Sequence, residues 1–106
     1  MNILLAAIAA VALLGAAPPS NAVTVHIKNF AYAPASISVP PGTTVRFVND
    51  DGEAHTVTAS DKSFDSAGID TGDAWTYTFT TAGKHAYFCA LHPFMKGSVV
   101  VTGASQ

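Results

Sequence analysis

The chain has 106 residues, a formal net charge of −2 at neutral pH and one cysteine. That length suits one domain, and the five Lys and Arg residues form no basic cluster of the kind a nucleic-acid partner needs. A single cysteine excludes an internal disulfide.

Residues 3–17 are an apolar run of Ile, Leu, Ala and Val closed by Gly15 and two alanines. Pro18-Pro19-Ser20-Asn21-Ala22 follows, with small residues where a signal peptidase cuts. The run falls short of the roughly 20 residues that a membrane helix needs. Residues 1–22 are therefore expected to be a signal peptide and residues 23–106 the exported domain, placed in the periplasm with no stable membrane insertion after cleavage. No Lys or Arg precedes the run, so an uncleaved anchor is the other reading. A lone thiol in an oxidising compartment needs a reason, either burial in a core or a metal.

Val23, Val25 and Ile27 alternate with Thr24, His26 and Lys28, which predicts a half-buried strand with His26 on its polar face. Residues 30–34 read as irregular. Ile37 and Val39 mark a short second strand, stopped by Pro40-Pro41-Gly42. Val45 and Phe47 share a face of the next strand. Asn49-Asp50-Asp51-Gly52 is a turn signal, and Asp50, Asp51 and Glu53 read there as a solvated acidic turn in preference to a steering patch for a basic partner. Residues 54–59 predict another strand, and 60–72 a long connection. Trp75, Tyr77 and Phe79 alternate with threonines in the clearest strand of the chain. Residues 84–89 form a strand that ends at Cys89, and 97–102 the last one. No stretch of 23–106 has a helical period. About seven short strands separated by turn signals describe an antiparallel sandwich or barrel.

Cys89-Ala90-Leu91-His92-Pro93-Phe94-Met95 places a thiolate, an imidazole and a thioether at even spacing. Covalent haem attachment would need Cys-x-x-Cys-His, and a structural zinc site four Cys or His ligands. A cysteine nucleophile paired with His92 would leave Met95 unexplained. Two His, one Cys and a weak axial Met is the donor set of a blue-copper electron-transfer site. The second histidine comes from His26, His55 or His85. His85 lies four residues before Cys89 on the same strand, about 13 Å away at the strand rise, too far to share a metal. His26 belongs to a polar face. His55 follows the Asn49–Gly52 turn, at an end of the sandwich where a loop can reach the cysteine loop. The expected ligands of one copper ion are therefore His55, Cys89, His92 and Met95.

At these residues the sequence resembles the cupredoxins. Pro40 to Val45, Asn49 to Val57 and Gly83 to Gly97 fall in that family's order, and His92-Pro93-Phe94-Met95 is most like the amicyanin branch. The resemblance implies an all-β, Greek-key sandwich of seven to eight strands, with copper near one end carrying one electron at a time and no catalysis. It also implies a monomer that docks a redox protein, of the dehydrogenase or c-type cytochrome class, through an apolar patch at His92, Pro93 and Phe94. Three positions depart from the family: Leu91 where Pro is frequent, Thr56 where Asn braces the cysteine loop, and His85 where Tyr is usual. These touch the surroundings that tune a metal rather than its ligands. A copper chaperone or storage protein could use the same ligands, but Met95 is the only methionine after residue 22. A metal-free sandwich remains the third class.

Overall fold

The computed structural model describes residues 22–103. The leader expected over 1–22 lies outside them, except Ala22. Eight strands follow in order: β1 (Ala22–Lys28), β2 (Ala31–Ala33), β3 (Ser36–Val39), β4 (Thr43–Asn49), β5 (Thr58–Ala59), β6 (Ala74–Phe79), β7 (Gly83–Cys89) and β8 (His92–Val101). They form two four-stranded sheets, ordered β2-β1-β4-β6 and β3-β8-β7-β5. No helix occurs among the described residues, and so none there is long and apolar enough to cross a membrane. The molecule is the expected all-β sandwich.

The alternating apolar positions meet between the sheets. Val25, Ile27, Val45, Phe47 and Phe79 face inward from one sheet, and Val39, Tyr87, Cys89, Val99 and Val101 from the other. The 60–73 connection is pinned by isolated bridges, His55 to Ile69 and Thr58 to Asp65, and adds Phe64 and Ile69 to the core.

Four details differ from the sequence expectation. Two strand pairs are parallel, β1 with β4 and β3 with β8, so the sandwich is mixed rather than antiparallel. Alternation reports which face is buried, not which strand lies alongside. The stretch 31–33 is a short strand pairing with β1. The strand expected over 54–59 shrinks to β5, because His55 and its neighbours bend away to serve the end of the sandwich. The last strand begins at His92, five residues early, since only Ala90 and Leu91 turn the chain. Its register with β7 passes from Phe88↔Lys96 to Cys89↔His92, so Pro93, Phe94 and Met95 bulge out between paired positions. A bulge tolerates a proline, which cannot donate to a ladder.

Gly97 stands opposite Tyr87 on β7. The Tyr87 ring lies so close that a Cβ on Gly97 would meet it at 2.6 Å. Tyr32 and Phe47 hold that ring from other sides, with centroids at 4.8 and 5.5 Å. Gly97→Ala should therefore destabilise the metal-free chain by about 1–3 kcal/mol, as overpacking does. Urea unfolding measures this, and Tyr87→Leu in the same chain should recover part of the loss.

Candidate metal centre

Because β1 and β4 are parallel, their C-terminal ends lie together, and the turns that leave them meet the β7–β8 turn at one end of the sandwich. Three segments converge there: Asn29–Phe30, residues 50–56, and Cys89 to His92.

Cys89 ends β7 and is fully buried, so the sheet fixes the direction of its side chain. His55 is also fully buried, unlike the surface loop histidine its position would suggest. Its Nδ1 lies 3.7 Å from Cys89 Sγ. His92, on the far side of the turn, brings its own Nδ1 to 3.7 Å from the same sulfur. All three donor atoms lie within 4.8 Å of one another. A metal about 2.3 Å from sulfur and about 2.0 Å from nitrogen, with angles near 120°, would space sulfur and nitrogen by roughly 3.7 Å. The cluster thus fits a single ion held by one thiolate and two imidazoles. Met95 is buried on β8, three residues beyond His92. His26 and His85 are elsewhere: His26 pairs with Asp50 at 2.7 Å on the surface, and His85 Nε2 lies 2.7 Å from the Thr81 carbonyl.

The other nitrogen of each imidazole meets a carboxylate. His55 Nε2 is 2.8 Å from Asp51 Oδ2. An ionised carboxylate only accepts, so Nε2 carries the proton and Nδ1 presents its lone pair to the centre. This is how metal-bound histidines are commonly oriented. His92 Nε2 faces Glu53 Oε1 at the surface, 3.4 Å away.

Asp51 corrects the reading of its turn as solvated, since it is only 9% exposed. It also accepts the backbone N–H groups of Asn29 at 2.6 Å and Phe30 at 2.9 Å. Burial pushes its carboxyl pKa up, but the N–H groups of Phe30 and Asn29 and the His55 ring outweigh that and hold it below the usual value. A carboxylate four residues before a candidate ligand histidine was the available signal; the Asn-Asp-Asp-Gly run concealed it, because such runs usually mark solvated turns.

Thr56 fastens the cysteine. Its N–H donates to Cys89 Sγ at 3.3 Å, and its Oγ1 accepts the Ala90 N–H at 2.8 Å. Its hydroxyl also lies 2.8 Å from Thr58 Oγ1, and its carbonyl accepts the Tyr32 hydroxyl. Burial, with smaller contributions from Cys89 and Tyr87, pushes the Tyr32 phenol far above its ordinary pKa, so it stays a donor. Thr56, shorter than the asparagine usual at this position, therefore braces the loop. Thr56→Val keeps the shape but strands the Ala90 N–H. It should cost about 1–3 kcal/mol in urea unfolding, whereas Thr56→Ser should restore most of it.

Comparisons with known proteins agree with this architecture. The family model described as Cupredoxin-like domain matches residues 1–101. Amicyanin of Paracoccus versutus is 33% identical over 88 residues, covering 78% of this chain and 67% of that protein. A Cu(I) form of an amicyanin variant superposes with a TM-score of 0.72 at 31% identity, over 79% of this chain and 85% of the other. A purple cupredoxin from Nitrosopumilus maritimus gives 0.71 at 29% identity, over 76% and 99%. With its eight-strand sandwich, its buried Cys and its two facing histidines, this chain belongs to the cupredoxin-like family and is similar to the amicyanins.

Proposed function

We propose that the protein carries single electrons through one copper ion held by His55, Cys89, His92 and Met95. The observation that carries this reading is the convergence of His55 Nδ1, His92 Nδ1 and Cys89 Sγ on one buried point, with the far nitrogen of His55 already committed to Asp51. Bound copper would supply the one-electron couple. The chain supplies a soft thiolate, two neutral imidazoles and a thioether, a donor set that suits copper cycling between its two charges. It also supplies stiffness. Cys89 is set by β7 and by Thr56, His55 by Asp51, and His92 by a two-residue turn. Donors that hardly move add little barrier when charge changes, which suits a carrier rather than an enzyme. Loading with Cu(II) should produce an intense thiolate-to-copper band in the visible. A chain that stays colourless, or binds copper only weakly, would sink the proposal.

The electron would leave by His92, the one member of the cluster that is not fully buried. Leu91 and Phe94 beside it are 56% and 69% exposed. Phe94 is thus free of the core, and exposed apolar clusters of this kind serve as docking surfaces. The partner is a redox protein of the dehydrogenase or c-type cytochrome class, met by an exported monomer in the periplasm. Phe94→Ala should leave the visible spectrum of the copper-loaded chain unchanged and slow its reduction by a protein donor. Reduction by a small inorganic reductant should proceed as before. Equal rates with the protein donor would count against this docking face.

A further inference from the structure

We propose that Phe30 is a positioning residue of the metal centre, whose ring holds the imidazoles of His55 and His92 in their convergent orientation. The proposal rests on the reading of those two histidines as ligands. Phe30 meets His55 with centroids 5.2 Å apart and planes at 87°, and His92 at 5.0 Å and 89°. The two imidazole centroids are themselves 4.9 Å apart. Three rings from three separate parts of the chain thus stand in a nearly equilateral triangle, and both Phe30 contacts have the T-shaped geometry that aromatic quadrupoles favour.

The backbone beneath Phe30 is built for this placement. Asn29 and Phe30 have φ of 54° and 57°. Asparagine tolerates that region, but a phenylalanine there is uncommon. Such a conformation persists only where the surroundings fix it, and it gathers at functional sites. Here Asp51 fixes it, by accepting both N–H groups with the carboxylate that also holds His55. One carboxylate therefore sets the ring and one of the histidines the ring touches.

The two histidines do not need Phe30 equally. His55 is fully buried and tied at 2.8 Å to Asp51. His92 is 22% exposed, and its outer nitrogen faces a 62% exposed Glu53 carboxylate at 3.4 Å, a looser tie. An imidazole turns about a broad torsion unless packed. Phe94 meets the His92 ring with centroids 6.2 Å apart, and Phe30, closer at 5.0 Å, restrains it from the side of the β1–β2 turn.

The test uses the full chain with and without Cu(II). In the metal-free protein, carbon relaxation of the His92 ring should report rigid packing in wild type and fast motion in Phe30→Leu, with His55 much less affected. In the copper-loaded protein, Phe30→Leu should give up copper to a chelator about tenfold faster or more, the scale of loss when a residue supporting a ligand is removed. Phe30→Tyr should restore both properties. Phe30→Met serves as a second aliphatic variant should the leucine variant fold poorly. Val39→Ala, in the core of β3, should lower stability without changing either property. A rigid His92 ring in folded Phe30→Leu or Phe30→Met would overturn the proposal. So would equal copper loss from Val39→Ala, since release would then follow stability alone. If wild type holds no copper, the functional reading fails, while the His92 measurement still decides the role of Phe30.

Discussion

Cys89→Ser should abolish the visible colour of the copper-loaded chain completely. The band expected of this centre is a charge transfer from thiolate sulfur to copper, and a serine hydroxyl neither ionises readily nor offers a soft, polarisable donor. The variant should still fold. Serine is close in size to cysteine, and the surrounding contacts come from the sheet and from Thr56 rather than from the sulfur alone. Unfolding of the metal-free variant by urea separates the two effects: its midpoint should move little while the spectrum disappears. Met95→Ala gives the complementary result. A thioether would be the weakest of the four proposed donors, so copper should stay bound and coloured while the reduction potential shifts. A Cys89→Ser protein that keeps its intense band would show that the colour arises elsewhere and would remove Cys89 from the site.

The second large effect is expected from Asp51→Ala, in the metal-free chain as well as the loaded one. One carboxylate accepts from Asn29, from Phe30 and from His55. Removing it strands the Asn29 and Phe30 N–H groups in a part-buried turn and the Nε2–H of the buried His55, and it releases two residues from a left-handed conformation. Each stranded donor costs about 1–3 kcal/mol. Water can reach part of this turn, so a total of about 2–4 kcal/mol is expected from urea unfolding. The acid side of the stability profile should change too. The folded pKa of Asp51 lies below its ordinary value of 3.8. A depressed carboxylate contributes stability that is fully present above the unfolded value and is lost as pH falls through the folded one. Wild type should therefore lose stability below about pH 4, and Asp51→Asn should flatten that part of the curve. An Asp51→Ala protein as stable as wild type would mean that the Asn29–Phe30 turn holds itself.

The chain order carried much of this in plain view. The alternation of Val23 to Lys28, Thr43 to Asn49 and Trp75 to Phe79 marks strands because successive side chains point to opposite faces. Cys89, His92 and Met95 show themselves because three soft donors crowd one short stretch, and His85 is eliminated by strand rise alone. What the sequence by itself determined was thus local: which segments extend, which faces are apolar, and which residues offer metal chemistry. Only the tertiary structure decided the parallel pairing of β1 with β4, since a pattern of period two names a buried face and never its neighbour. That pairing brings the ends of β1 and β4 together, and so brings Phe30 and Asp51 to His55 across 25 and four residues of chain. Asp51 was hidden in a turn signal, Phe30 in an irregular stretch, and Thr56 in a departure from the asparagine usual at its position. Each acts through a partner distant in sequence, and hydrogen bonds and ring contacts depend on distances in space that one-dimensional spacing does not contain.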